Sequence, residues 1–335
     1  KRVKMESRDS MHVLVADWAS GDLDVEHERL GQEGITLSFS GIAGTDSLAE
    51  KKAKLMAAIR STPRIDVLMF CIAPIDAEVI DALPESCTLL QRMGTGLDNV
   101  DLKHAATRGK IVRNTPQYCV EEVAVHAMAM MLALHRQLRS TQERLLNGEW
   151  SGQTPKPIHR LSTATLGVLG FGRIGRKVGE LMRPLVQNVI YYDELSAAEI
   201  DWAVRVSFDD VLQRADLVTV HLPLTPETRH IVNRETIAAM KDTAILINAA
   251  RGALVDPDAL AAALNEGRLG GAGLDVFEPE ILPADSPLRT AEHILLTSHT
   301  AWYSEDSVQD ARIEAIESTI AHLRNDSWST KVPVF

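Results

Sequence analysis

Residues 164–193, ATLGVLGFGRIGRKVGELMRPLVQNVIYYD, constrain the fold more than any other stretch of the chain. Thr165–Leu169 is a short apolar run that reads as a buried strand, and Gly170, Gly172 and Gly175 follow it as G-x-G-x-x-G. In that context each glycine has a separate use. Gly170 allows a tight turn, Gly172 lets backbone approach a pyrophosphate, and Gly175 lets a helix pack closely on the strand. The helix opening there, with Arg173 and Ile174 in its first turn, turns free N–H groups and a positive dipole end toward phosphates. A second apolar run, Asn188–Tyr192, ends at Asp193. A carboxylate there can accept both hydroxyls of an adenosine ribose and repels a 2′-phosphate, which favours NAD over NADP. A glycine-rich turn alone would be weak; strand, helix, second strand and terminal aspartate together predict a dinucleotide site.

The rest of the chain alternates β and α. Ahead of the glycine turn, strands are expected at Met11–Asp17, Ile35–Phe39, Ile65–Cys71 and Thr88–Met93, with helices at Val25–Gln32, Leu48–Arg60 and Ala77–Ala82. Beyond Asp193, strands are expected at Asp216–Leu222, Ala244–Asn248, Gly273–Phe277 and Ile294–Thr297. The helices between them are read at Ser207–Arg214, Arg234–Met240 and Pro257–Glu266. Apolar strands in βα alternation predict parallel, doubly wound sheets, and 335 residues suffice for two such lobes. Between them, Val120–Leu138 reads as a helix that is apolar nearly all round, with only His126 strongly polar from Val123 to Leu134. Such a helix is expected to be buried on every side, between lobes or at a subunit interface. Residues 147–160, with Trp150 and two prolines, read as an exposed connection.

Composition narrows the partners. A net charge of −11 argues against nucleic acid or an anionic membrane surface. No run approaches the roughly 18 apolar residues that span a bilayer, and no signal-peptide pattern opens the sequence. Cys71, Cys87 and Cys119 show no metal-ligand spacing and no C-x-x-C, so no metal is expected and a reducing, cytoplasmic setting is. Met5 and Met11 both remain open as natural starts.

Three polar residues then fall just past the carboxyl ends of predicted strands, the edge that faces the ligand crevice in open α/β sheets: Arg251, Glu280 and His299. Singly they would pass as a salt bridge, a solvated carboxylate and a structural histidine. Together, behind a dinucleotide site, they suit the chemistry of a 2-hydroxy acid. An arginine grips a carboxylate with two parallel hydrogen bonds. Imidazole gives or takes a proton near neutrality. A carboxylate beside it favours the imidazolium and fixes its orientation. Arg92–Asp101, RMGTGLDNVD, adds a second glycine loop in which Gly94 and Gly96 allow backbone N–H groups to cup an anion.

GFGRIG, HLPLTPETRH, INAARGALVD, GLDVFEPE and SHTAW resemble the D-isomer-specific 2-hydroxyacid dehydrogenases over nearly the whole chain. The resemblance implies Arg251 as carboxylate anchor, Glu280 as the acid paired with histidine, and His299 as general acid/base. It carries cofactor contacts to Thr95, Arg173, Ile174, Asp193, His221, Leu222, Pro223, Ala249 and Asp275, beside Arg251 and His299 themselves. RMGTGLDNVD, QYCVEEVA and HTAWYSE are most similar to the C-terminal-binding-protein branch. That implies Arg92 as a second cation, Gly94 and Thr95 near the substrate, and Trp302 as a pocket wall. One departure is Ile281, where the family usually has proline after the acid. The family's architecture implies a flavodoxin-like substrate lobe from residues 1–115 and 303–335 and an NAD-binding Rossmann lobe from 116–302. It also implies a homodimer, with a tetramer left open. The expected activity is NADH-linked reduction of a 2-keto acid to its D-2-hydroxy acid. The alternative is an NAD(H)-sensing scaffold that binds other proteins.

Overall fold

The computed structural model describes residues 10–18, 22–194 and 200–328. The chain divides into two compact units, Lys1–Cys119 with Ser304–Phe335, and Val120–Tyr303.

The first unit begins with β1 (His12–Val15), α1 (Asp24–Gln32), β2 (Thr36–Phe39), α2 (Leu48–Ser61) and β3 (Val67–Phe70). It continues with α3 (Ala77–Ala82), β4 (Leu89–Arg92), α4 (Leu102–Thr107) and β5 (Ile111–Arg113). Its five strands run in the order β2-β1-β3-β4-β5, every pairing parallel, which is the flavodoxin-like order. β3 is buried along its whole length because helices cover both faces of the sheet, so it reads as the unbroken apolar run VLMF. Local chemistry starts the helices: Ser47 and Glu50 form a reciprocal capping box on α2, and the Asp101 carboxylate accepts the His104 N–H at the start of α4.

The second unit opens with α5 (Val120–His135) and α6 (Leu138–Leu146), followed by β6 (Thr165–Leu169), α7 (Arg173–Met182), β7 (Asn188–Tyr192) and β8 (Val204–Arg205). Then come α8 (Phe208–Arg214), β9 (Leu217–Val220), α9 (Arg234–Ala238), β10 (Ile245–Asn248), α10 (Pro257–Asn265), β11 (Gly271–Leu274) and β12 (Ile294–Leu296). The sheet order is β12-β11-β10-β9-β6-β7-β8, again all parallel. The winding reverses between β6 and β9, and a crevice opens outside the carboxyl ends of strands at such a switch. Because every strand points the same way, all the strand-end residues singled out from this part of the sequence share one edge. No described helix is long and apolar enough to cross a membrane.

The chain then returns to the first unit through α11 (Glu305–Leu323), which Ser304 caps. Arg312 on α11 is 3% exposed and makes a two-pronged ion pair with the fully buried Glu26 of α1, at 2.9 and 2.6 Å, and reaches Asp22 at 3.1 Å. Removing one member of a buried pair strands the other charge. Arg312→Ala is therefore expected to destabilise the first unit by about 3–5 kcal/mol, whereas the apolar pair Arg312→Met with Glu26→Leu should recover most of the loss. Chemical denaturation of the three proteins checks this.

Several elements depart from the expectations. β5 and the two-residue β8 lie in stretches not expected to be strands, being too short to show a period. β11 ends at Leu274 rather than Phe277, because the backbone turns away once Asp275 has bound the following loop. α5 stops at His135 and is not buried all round: it packs on α7, β10 and β11, while Val125 and Ala129, one turn apart, face outward. A helix lying on one face of a sheet can be covered by its own unit on one side only.

Candidate functional site

The turn after β6 has the shape that its glycines predict. Gly170 has a φ of +92°, and a Cβ on Gly175 would overlap the Gly170 carbonyl oxygen, so α7 approaches the turn more closely than any side chain allows. Gly172 caps α7 without a side-chain hydrogen bond, leaving the first helical N–H groups to whatever the turn binds. Phe171 stacks on Tyr191 at 4.0 Å between ring centroids, and its N–H donates to Asp193 Oδ2 at 2.7 Å, locking the turn to the end of β7. Arg173 and Ile174 lie in the first turn of α7, and Arg173 is exposed. This bare, anion-accepting cradle with a carboxylate at the neighbouring strand end fits a dinucleotide.

On the other side of the switch, β9 leads into His221, Leu222 and Pro223. The His221 N–H donates to the Leu169 carbonyl at 2.7 Å, and its Nε2 lies 2.8 Å from Thr219 Oγ1. Burial pushes this imidazole down to about 4, so it is neutral in the folded protein at pH 7. In an unfolded chain a histidine titrates near 6.5. Between those values only the unfolded state takes up the proton, so the stability that His221 contributes is complete above pH 6.5 and is lost as pH falls toward 4. We expect the loss to be about 1–3 kcal/mol and to be missing from His221→Asn when the two proteins are melted across that interval.

Arg251, Glu280 and His299 all project from loops at the same edge. Asn248, buried at the end of β10, ties the 248–251 turn: its Nδ2 donates to the Arg251 carbonyl at 2.8 Å, and its Oδ1 accepts the Ala250 N–H at 3.0 Å. Ala249 lies inside that turn. The Arg251 guanidinium donates to the Ala250 carbonyl at 2.7 Å. A Cβ on Gly252 would overlap the Phe277 backbone, so the Arg251 loop lies directly against the one that leads to Glu280. Glu280 Oε1 and His299 Nδ1 are in hydrogen-bonding contact, and both side chains are about half exposed. Arg229 holds the Glu280 loop at its base through two bonds to Glu278, at 2.9 and 2.6 Å. Past Glu280, Ile281 is 86% exposed, and Arg289 secures the loop by donating to the carbonyls of Leu282 and Pro283 at 2.8 and 2.7 Å. The family's missing proline is thus accompanied by an arginine clamp on the same segment.

Asp275 is fully buried and grips the His299 loop. Its carbonyl accepts the His299 N–H at 2.7 Å, and its carboxylate accepts the N–H groups of Thr300 and Ala301, each at 2.9 Å. Trp302 follows, edge-on to the exposed Tyr303 ring at 5.7 Å.

Arg92, Gly94 and Thr95 belong to the first unit, at the carboxyl edge of its sheet. Gly94 has a φ of +153°, and the Arg92 guanidinium occupies the space a Cβ would need there, 2.5 Å from Nη1. Arg92 Nη1 donates to the Met93 carbonyl at 3.1 Å and lies 3.8 Å from Cys71 Sγ. Burial pushes the Cys71 thiol up, against the pull of the Arg92 guanidinium, so it remains a thiol. The Asp17 carboxylate accepts the N–H groups of Cys71, Ile72 and Ala73 at 2.8, 2.7 and 3.1 Å, which shapes this edge. Thr95 Oγ1 donates to the Thr115 carbonyl at 3.2 Å.

Asn248, Arg229 and Thr297, whose hydroxyl donates to Asp275 Oδ1 at 2.5 Å, carry structural consequences here to which the sequence assigned no role. A polar residue closing an apolar strand is the signal available for Asn248; Arg229 and Thr297 have no local signature. Among the described residues no group of histidine, cysteine and acidic side chains is arranged to hold a metal.

Residues 128–301 match the NAD binding domain of the D-isomer specific 2-hydroxyacid dehydrogenases. The chain is 36% identical over 260 residues to a glyoxylate reductase of Korarchaeum cryptofilum, covering 76% of this chain and 78% of that protein. It is 39% identical over 246 residues to a D-3-phosphoglycerate dehydrogenase of Methanocaldococcus jannaschii, covering 72% of this chain but 47% of that protein, so it spans about half the length of that relative. The solved structure of a glyoxylate reductase from Paecilomyes thermophila superposes with a TM-score of 0.84 at 28% identity, over 97% of this chain and 99% of that one.

Proposed function

The chain belongs to the D-isomer specific 2-hydroxyacid dehydrogenase family of NAD-dependent oxidoreductases, and from that premise we propose that it reduces a small 2-keto acid reversibly to the D-2-hydroxy acid. When bound, NADH would supply the hydride for the substrate's C2. His299 gives its proton to the keto oxygen as the hydroxyl forms and takes it back in oxidation. Glu280 occupies Nδ1 of His299, which leaves Nε2 as the nitrogen facing substrate, and it balances the charge of the imidazolium. Arg251 binds the substrate carboxylate in two-pronged fashion. Gly170, Gly172, Arg173, Ile174 and Gly175 hold the pyrophosphate, and Asp193 holds the adenosine ribose. Within the second unit His221, Leu222, Pro223, Ala249 and Asp275 would meet the nicotinamide half, and Trp302 the substrate; within the first, Arg92, Gly94 and Thr95 are the residues proposed for substrate contact, Thr95 also for the cofactor.

The observation that carries this reading is the His299–Glu280 pair on the sheet edge shared with Arg251 and the glycine turn. A scaffold that only senses NAD(H) needs the turn, and would keep the paired acid and imidazole only to shape the cofactor cleft. The resemblance to the C-terminal-binding-protein branch stands on sequence stretches alone. Purified protein given NADH and glyoxylate, hydroxypyruvate, pyruvate or branched 2-keto acids should consume the 340 nm absorbance of reduced nicotinamide. Silence across that panel, with NADH still binding, would leave the scaffold reading in its place.

We also propose a homodimer built on the outward face of α5. Val125 and Ala129 on that helix, Leu138, Leu145 and Leu146 on α6, and Trp150, 91% exposed, are apolar surface of the kind a second copy covers. Sedimentation analysis distinguishes dimer from tetramer. Three free cysteines suit a cytoplasmic setting.

A further inference from the structure

His126 stands alone as a strongly polar side chain in the apolar stretch Val123–Leu134 of α5. Its Nε2 lies 3.0 Å from Thr297 Oγ1 and 3.8 Å from Asp275 Oδ1. Thr297 Oγ1 in turn lies 2.5 Å from Asp275 Oδ1. A hydroxyl has one proton and a carboxylate only accepts, so the Thr297 proton goes to Asp275. Toward His126 the hydroxyl oxygen must then accept, which makes the His126 Nε2–H the donor and fixes its tautomer.

The far end of this chain of bonds is the backbone of His299. Its φ is +54°, in the left-handed region, where a side chain other than glycine persists only if its surroundings impose it. Asp275 imposes it through the three N–H groups of His299, Thr300 and Ala301. The orientation of the Asp275 carboxylate, however, is set on one side by Thr297, and Thr297 is set by His126.

We propose that His126 is a positioning residue for His299: its Nε2–H directs the Thr297 hydroxyl onto Asp275, whose carboxylate and carbonyl hold the left-handed turn that aims the His299 ring. The proposal rests on the reading of His299 as the proton donor. It accounts for a polar side chain in an apolar helix, at a place where a leucine could not donate.

The test compares His126→Leu with His126→Gln, which keeps an N–H donor. Misplacing a reacting group by about 1 Å costs on the order of 10²-fold, so His126→Leu should lower kcat by about 10- to 100-fold while the KM values for keto acid and NADH stay within about threefold. His126→Gln should recover most of the loss. The second readout needs no turnover. In protein labelled with 13C at the rings of its 11 histidines, the His299 signal, assigned by its absence from His299→Ala, should move in His126→Leu and stay near its place in His126→Gln. An unmoved His299 signal in His126→Leu overturns the proposal, as does a Gln variant as impaired as the Leu one. If the wild type reduces no keto acid, the functional reading fails, while the ring signals still decide whether His126 governs His299.

Discussion

Replacing His299 with alanine is expected to lower kcat by about 10²–10⁴-fold, the span that a positioned general acid contributes. NADH affinity should be nearly untouched, because the glycine turn, Asp193 and the His221 segment hang from β6, β7 and β9, whereas His299 follows β12. The loop should survive the change, since Asp275 holds it through backbone N–H groups that alanine retains. The left-handed φ of residue 299 is no obstacle of a new kind, as histidine and alanine both carry a Cβ there. Steady-state kinetics with fluorescence titration of NADH checks both halves. A kcat loss below about tenfold would remove His299 from the proton transfer.

Arg251→Lys should also be damaging, though the charge is conserved. Two parallel N–H donors become a single ammonium, and a charge-assisted hydrogen bond is worth about 1.5–3 kcal/mol, so kcat/KM should fall by roughly 10- to 150-fold. Most of that loss should appear in KM for the keto acid, because the carboxylate is held in ground and transition states alike. The Asn248 bonds are made to the backbone at residues 250 and 251 and do not depend on the guanidinium, so the turn should keep its shape in the variant. Unchanged KM would move the carboxylate anchor elsewhere, with Arg92 the next residue to test.

The parts of the site that lie close together in sequence were readable there. The glycine turn follows from spacing within one βαβ segment, and the strands Thr165–Leu169 and Asn188–Tyr192 have in the structure the bounds expected from their apolar runs. The βα alternation likewise gives two parallel sheets. The strand-end placement of Arg251, Glu280 and His299 was also legible, since parallel strands put their carboxyl ends on one edge. Short strands were not: β5 has three residues and β8 two, and a period cannot be seen in so few. Nor was the true burial of α5, because apolar composition says that a helix wants cover without saying whose. The supports of the site were hidden for a third reason. Arg229, Thr297 and His126 act on residues 49, 22 and 171 positions away, and local sequence holds no trace of such pairings.

The return of the chain through α11 has a consequence for biogenesis. The first unit's strands emerge from the ribosome early, yet α11, which packs on α1 and β4, is made only after the entire second unit. Until Arg312 arrives, Glu26 lacks the guanidinium it is buried with. The N-terminal segment of the first unit must therefore wait, incompletely closed, while residues 120–303 are synthesised and can fold ahead of it. Chaperone demand and proteolytic sensitivity should concentrate in that interval, and on the strands of the first unit that are already made.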